Sequence, residues 1–307
     1  MDRLDALQLF TRIVETGSFS RAADLLDIPR ATATHAIKQL EARLGVRLLE
    51  RTTRQVRPTL DGQAFYERCV HVLGELDDAE SSLRHVAANP RGVLRVDMHG
   101  THATRIILPN IDDFRGRYPG IDLVVSSGDR LVDLVREGVD CVIRSGRLRD
   151  STLVARPLAT MPQVICASPG YLARFGAPGH PDDLPAAQAV RFFSSSGGLD
   201  YPFEVIVDGQ RRTYPVKGGV SVNDAENYVI CALRGCGLIQ LPRFHVEDQL
   251  RDGQLVEVLG AWASPDMPVT ALYPYRRQLS PRVRVFVEWL GELYGQKFGR
   301  LPRAEAA

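Results

Sequence analysis

Residues 17–62 read GSFSRAADLLDIPRATATHAIKQLEARLGVRLLERTTRQVRPTLDG, and their periodicity decides the fold of the N-terminal part. Gly17 stops a preceding amphipathic helix in which Leu4, Leu7, Phe10 or Ile13, and Val14 fall at helical spacing. Ser18 or Ser20 then caps a short second helix to about Leu26, with Ala22, Ala23, Leu25 and Leu26 small or apolar enough for tight packing. Asp27 to Pro29 break it. A third helix is predicted over about Ala31 to Leu44, turning Ala33, Ala36, Ile37, Leu40 and Leu44 to the core and Thr32, Thr34, His35, Lys38 and Gln39 outward. After Gly45, the residues Val46, Leu48 and Val56 are expected to alternate inward on a hairpin with the polar tip Thr52 to Gln55. That hairpin reads as a wing.

Two helices on a tight connection, the second with basic and hydrogen-bonding residues outward, suit the major groove of duplex DNA. Charge points the same way. Residues 28–58 hold seven cations (Arg30, Lys38, Arg43, Arg47, Arg51, Arg54, Arg57) against Glu41 and Glu50, whereas the whole chain of 307 residues is only +1. A basic block on a near-neutral chain implies a localised polyanion contact. The candidate DNA-binding residues are Arg30, Thr32, Thr34, His35 and Lys38 on the helix and Arg51, Thr53, Arg54 and Arg57 on the wing. Arg30 and Lys38 suit phosphate or guanine, the threonine methyls suit thymine, and the wing arginines reach phosphates or a minor groove. The plain alternative for each is a solvated polar face.

Working outward, residues 59–88 lack proline and carry Leu60, Ala64, Phe65, Val70, Leu73, Leu76, Ala79 and Leu83 at three- and four-residue steps. A helix of nearly thirty residues with one apolar stripe outruns its small domain, so pairing with a copy of itself is expected. Asn89-Pro90-Arg91-Gly92 marks the boundary. Beyond it, VLRVDM, a helix near Thr104 to Tyr118, IDLVVSS, a helix from Arg130 to Gly138 and CVIRSG alternate in the manner of a parallel sheet covered by helices. The order repeats through LVARPL, QVICAS, AVRFFS, FEVIVDG, the turn-rich QRRTYPVKGGVSV, a helix around Ala225 to Gly235, GLIQLP, a helix from Val246 to Asp252, VTALYP and a helix from Arg282 to Tyr294.

The expected fold class is multidomain α and α/β. A winged helix-turn-helix at 1–58 and a linker and dimerisation helix at 59–88 precede a two-lobed periplasmic-binding-protein-like α/β domain at 89–300, with a disordered tail at 301–307. A chain this long prefers several compact units. Hydrophobic residues at 44% and charged residues at 24% exclude a disordered polymer. No run of eighteen apolar residues and no apolar signal region appear, so a cytoplasmic, membrane-free protein is expected.

The quoted stretch resembles, without gaps, the DNA-binding segment of LysR-type transcriptional regulators. The alanine pair Ala22-Ala23, Ile37-x-x-Leu40-Glu41 and the exit Leu44-Gly45-Val46-x-Leu48-x-x-Arg51 carry the match. The later runs GVLRVDM, RYPGIDLVV, GDRLVDLVREGVDCVIRSG, VICASPGYLARFG and VNDAENYVICALRGCGLIQLP fall in that family's order, so the resemblance spans essentially the whole chain. It departs where the family usually has Ser, Arg and Gln and this chain has Thr34, His35 and Ala36, and at Pro29, usually Ser. The resemblance implies a non-enzymatic, sequence-specific regulator that binds double-stranded promoter DNA as a homodimer or homotetramer. It also implies a small-molecule effector between the lobes and RNA polymerase as a further partner.

Effector-binding candidates sit at strand ends, where such sheets present loops and helix N-termini. They are Thr101 and His102, with a carboxylate as the expected group, Ser127 and Gly128, Arg144, Ser145 and Gly146, Phe193 and Ser194, and Asn223 and Asp224. Each also reads as a cap or turn residue. Family members often place an effector-contacting Ser at the position of Thr101. His99 and His102 lack a third ligand at a sensible spacing, so no metal is expected. Residues 194–198, SSSGG, are not a nucleophile elbow, and no GxGxxG appears, so neither an enzyme nor a nucleotide cofactor is supported. The five cysteines form no CxxC pair and read as reduced, mostly buried thiols. Only exposure of Cys231 and Cys236 would bring redox sensing back.

Overall fold

The computed structural model describes residues 1–51, 56–83, 90–128, 134–146, 148, 153–193, 200–274 and 280–299. Three helices open the chain: α1 (Arg3–Thr16), α2 (Phe19–Leu25) and α3 (Arg30–Leu44). Asp2 and Asp5 form a capping box on α1, and Gly17 ends it in a left-handed conformation at φ 61°. Ser18, not Ser20, caps α2 by accepting from the Arg21 amide. Asp27 also takes a positive φ of 52° and lets the chain turn into α3. Pro29 occupies the N-cap of α3 and has no side chain to cap with, so the first amides of that helix stay uncapped by a side chain.

The wing is the hairpin of β1 (Leu49–Arg51) and β2 (Val56–Pro58). The Glu41 carboxylate accepts from the Leu48 and Leu49 amides at 2.8 and 3.1 Å, which ties the last turns of α3 to this hairpin. Helix α4 (Leu60–Leu83) follows; the expected continuation over 84–88 lies outside the described residues. Gly62 sits against the Leu48 backbone, where a Cβ would stand 1.9 Å from the carbonyl oxygen, so α4 leaves the wing at a distance only glycine permits.

Burial corrects several expectations at this end. Leu9, Phe10 and Ile13 are all buried, whereas Leu4 is exposed. Leu25 is 65% exposed and Leu44 also reaches solvent, each at a helix C-terminus where the core-facing stripe has rotated away. Leu48 is buried but Val46 is 41% exposed, because pairing begins only at Leu49 and Val46 belongs to the turn after Gly45. The α4 stripe is divided. Phe65, Cys69 and Leu73 join the N-terminal core, with the Phe65 ring 5.5 Å from that of Phe10. Leu60 is 93% exposed and Val72 47%.

The first lobe begins with β3 (Gly92–Met98) and α5 (Gly100–His102), which runs into a π-helical turn at Ala103–Ile107, a 3-10 turn at Leu108–Asn110 and α6 (Ile111–Arg117). The helix thus starts before the expected Thr104. Pro109 cannot donate to the preceding turn and its ring would strike the carbonyl four residues back, which accounts for the widened turn. Then come β4 (Ile121–Ser127), α7 (Leu134–Glu137), β5 (Cys141–Ser145) and β6 (Leu153–Met161). The expected start of the α7 helix at Arg130 lies outside the described residues.

The second lobe is built from β7 (Gln163–Ala167), α8 (Pro169–Phe175), β8 (Arg191–Phe192), β9 (Phe203–Val207), β10 (Gln210–Tyr214), β11 (Ser221–Val222), α9 (Ala225–Leu233), β12 (Ile239–Pro242), α10 (Glu247–Arg251) and β13 (Val256–Val258). The chain returns through β14 (Met267–Pro274) and ends in α11 (Pro281–Phe298). The sheets are mixed, not purely parallel. In the order β4-β3-β5-β14-β6, strands β3, β4 and β5 run parallel and β14 runs antiparallel to both neighbours. In the second lobe β12 and β13 flank β7 antiparallel. The segment read as turn-rich contains β10, which makes a hairpin with β9 around Asp208 and Gly209, both at positive φ. An Asp-Gly pair between alternating strands is the signal that would have found it.

Candidate nucleic-acid interface and effector cleft

The buried face of α3, made of Ala33, Ala36, Ile37 and Leu40, fixes which side chains point away from the domain. Arg30, Thr32, His35 and Lys38 are exposed and Thr34 half-buried. Arg30, Ala31, Thr34, His35 and Lys38 line one shallow concavity of about 510 Å³. His35 Nε2 lies 2.9 Å from Gln39 Nε2, one helical turn along the same face. Arg51 ends β1 and Arg57 lies on β2, exposed and across the strand from Glu50. An acid therefore interleaves with the wing arginines in space, although none does in the run of the chain. Thr53 and Arg54 lie outside the described residues.

The first-lobe candidates gather along one edge, because β3, β4 and β5 are parallel and in register, with Met98 beside Ser127 and Ile143. Thr101 and His102 follow β3, Ser127 and Gly128 end β4, and Arg144, Ser145 and Gly146 end β5. Their environments differ from the simple expectation. His102 is fully buried, its Nδ1 2.7 Å from the Tyr294 hydroxyl and its Nε2 2.7 Å from Ser145 Oγ. Burial, helped by the nearby His99 and Arg144 charges, lowers its pKa to about 3, so the ring is neutral. Both ring nitrogens are engaged inside the lobe, and His102 is no open carboxylate ligand.

Arg144 is likewise committed. Its Nη2 lies 2.6 Å from Asp97 Oδ1, both side chains nearly buried, and Ser126 Oγ donates to the other Asp97 oxygen at 2.8 Å. Thr101 is buried and Ser127 exposed. The Gly128 amide donates to the Met98 carbonyl, and Gly146, at φ 90°, to that of Pro268. In the second lobe Phe193 and Asn223 follow the parallel strands β8 and β11, and Phe193 donates its amide to Val222. Asp224 caps α9 by accepting from the Asn227 amide at 3.0 Å. Ser194 lies outside the described residues.

Sequence reasoning missed the group that joins the two edges. Arg105 Nε, in the π-helical turn, lies 3.4 Å from Glu226 Oε1 in the first turn of α9. It also missed His245, buried beside Phe244 with its ring charge disfavoured by burial and by His102, Arg105 and His99. Asp97 did carry a signal, as a lone acid in the apolar strand VLRVDM. Among the described residues no three potential ligands stand together as a metal site, and no helix is long and apolar enough to cross a membrane.

The family of bacterial regulatory helix-turn-helix proteins of the lysR family matches residues 4–63, and the LysR substrate binding domain matches residues 87–295. The uncharacterized HTH-type transcriptional regulator YhjC of Escherichia coli strain K12 is 41% identical over 94% of this chain and 97% of its own length. An HTH-type transcriptional repressor of Pseudomonas aeruginosa strain UCBPP-PA14 is 38% identical over 96% of this chain and 93% of its own. Among solved structures, CrgA, a LysR-type transcriptional regulator from Neisseria meningitidis, is 34% identical, covers 95% of this chain and 98% of its own, and superposes with a TM-score of 0.59. The full-length Vibrio cholerae virulence activator AphB gives 25%, 95%, 100% and 0.58 in the same terms. The chain therefore belongs to the LysR family and is not an enzyme but a transcription regulator, with a DNA-binding helix-turn-helix domain joined to an effector-binding domain.

Proposed function

We propose that α3 lies in the major groove of a promoter duplex and reads it with Arg30, Thr32, Thr34, His35 and Lys38. The wing holds phosphates or the minor groove with Arg51, Thr53, Arg54 and Arg57. The observation that carries this reading is the concavity on α3, whose lining gathers Arg30, Thr34, His35 and Lys38 on the face turned away from the core. The family's DNA-binding role supports the assignment of the partner. The test is fluorescence anisotropy of the full chain on the DNA upstream of its own gene, at several salt concentrations. K38A should lower the slope of log K against log salt by about 0.9, the share of one phosphate contact. Absence of salt-sensitive affinity for any duplex would overturn the reading.

Two copies are held together through the helix of residues 59–88, as a dimer or a dimer of dimers, between a DNA-binding unit at 1–58 and an effector unit at 89–300. The exposure of Leu60 and Val72 on α4, 93% and 47%, supports this, since apolar area of the helix is left in solvent within a single chain. The doubled reading heads then span two half-sites about 34 Å apart. A small molecule bearing a carboxylate binds between the lobes, near Thr101, Ser127 to Gly128, Ser145 to Gly146, Phe193 to Ser194 and Asn223. His102, Arg144 and Asp224 shape the walls through the internal bonds described above. Occupation shifts the Arg105–Glu226 approach and with it a pre-existing equilibrium between lobe arrangements. In the cytoplasm, where promoter DNA lies, that shift governs the access of RNA polymerase. A thermal-shift screen of small aliphatic and aromatic carboxylates is expected to give a concentration-dependent rise in Tm, and a flat response across the panel would remove the effector assignment.

A further inference from the structure

The turn that ends α9 brings two cysteines together by a backbone device. Leu233 is the last helical residue and Gly235 takes a left-handed φ of 75°. The Gly235 amide donates to the Ala232 carbonyl at 2.9 Å and the Cys236 amide to the Cys231 carbonyl at 3.0 Å. These are the paired 5→2 and 6→1 bonds of a Schellman motif, which sets the side chain of the third-last helical residue against that of the residue after the glycine. Two apolar side chains usually fill those places; here both are cysteines. The 3.0 Å bond confines their Cα atoms to about 7 Å or less, close to the range a disulfide spans. The turn lies close to the start of α8, where a Cβ on Gly235 would come into ordinary van der Waals contact with Ser168 Oγ at 3.7 Å.

The other three thiols make a contrast. Cys69, Cys141 and Cys166 are buried, and burial pushes them up to about 11, 12 and 12. Cys236 is exposed and Cys231 half-buried. Burial, then the charge and hydrogen bond of Cys236, raise Cys231, which keeps it a protonated thiol at neutral pH. The outer cysteine is thus the one that meets an oxidant first.

We propose that Cys231 and Cys236 form a redox-active pair that a hydroperoxide closes to an intramolecular disulfide. The Cys236 thiolate attacks the peroxide, the O–O bond breaks, and the products are Cys236 sulfenic acid and an alcohol that takes up the thiol proton. Cys231 sulfur then attacks Cys236 sulfur, the S–O bond breaks, and hydroxide leaves with the Cys231 proton as water. Two thiols lose two electrons and the peroxide gains them. The disulfide locks the last turn of the helix whose first turn carries Glu226 toward Arg105 of the other lobe.

The test uses the full chain treated with tert-butyl hydroperoxide and digested with trypsin without reduction. Arg234 lies between the two cysteines, so the reduced protein yields residues 218–234 and 235–243 as separate peptides. After oxidation they should travel as one species about 2 Da lighter than their sum, and a thiol reductant should separate them again. Denatured protein should fall from five maleimide-reactive thiols to three. C231S should stop at a Cys236 sulfenic acid trapped by dimedone, and C236S should keep all its thiols at the same peroxide dose. The proposal is overturned if the linked peptide does not form, if Cys236 instead joins two copies on a non-reducing gel, or if sulfenic acid builds up equally with and without Cys231.

Discussion

The outer face of α3 and the strand-end edge of the first lobe are both polar, yet they hold their polar groups in opposite ways. On α3 the cations Arg30 and Lys38 stand exposed around a concavity, and the helix start has no side-chain cap. At the lobe edge, His102 is tied to Tyr294 and Ser145, and Arg144 to Asp97, within a nearly dry interior. The DNA contact proposed for α3 fits a face that keeps its charge in solvent until phosphates arrive. A site that must stay shaped when empty spends its polar groups on one another. Substitutions should therefore cost binding at the first place and stability at the second.

Both tryptophans, Trp262 and Trp289, lie beyond residue 89, so their fluorescence follows the effector domain alone. The sharpest test is D97A, which takes the carboxylate away from the nearly buried Arg144 guanidinium and should remove about 3–5 kcal/mol from the urea transition seen by fluorescence. A loss below about 1 kcal/mol would show that water reaches the pair. Next is His102. Folding lowers its pKa from 6.5 to about 3, so in that window the unfolded chain binds the extra proton and stability falls with falling pH. Within that window the slope from this group approaches ~1.4 kcal/mol per pH unit, and the stability it removes is present in full above about 6.5 and lost toward 3. H102Q should flatten the acid limb by that amount, and an unchanged limb would mean the ring is already charged in the folded lobe. By contrast, K38A should leave the fluorescence transition within about 0.5 kcal/mol while weakening DNA binding roughly fivefold at 0.15 M salt. Smallest of all is E226A. Its partner Arg105 and the carboxylate are both partly exposed, so unfolding should move by less than about 1 kcal/mol.

The same contrast explains what could be read before the structure was seen. Helices α1 to α3 declare themselves because their stripes repeat every three or four residues and their stops, Gly17, Pro29 and Gly45, sit in the chain beside them. The candidate contacts on α3 follow from that local pattern. Little of the lobe edge is local. His102 meets Tyr294 across nearly the whole effector domain, and Arg144 meets Asp97 only because β5 pairs with β3. The parallel run of β3, β4 and β5 is legible in the alternation of strands and helices, whereas the antiparallel insertion of β14 between β5 and β6 leaves no trace in strand composition. Leu25 and Val46 failed for a different reason. Apolar character says that a side chain tolerates burial, and only the end of the helix or the start of the hairpin says whether it receives any.

Strand β14 also sets a clock on biosynthesis. It fills the gap between β5 and β6, yet it leaves the ribosome about 110 residues after β6 ends, once the whole second lobe has been made. At 5–20 residues per second, β5 and β6 wait roughly 6–23 s between the end of β6 and the arrival of Pro274. Through that interval the facing edges of β5 and β6 are unpaired templates for any other strand. The nascent effector domain is thus most open to mispairing before its last forty residues emerge, and holding that gap is where a chaperone would do most for this chain.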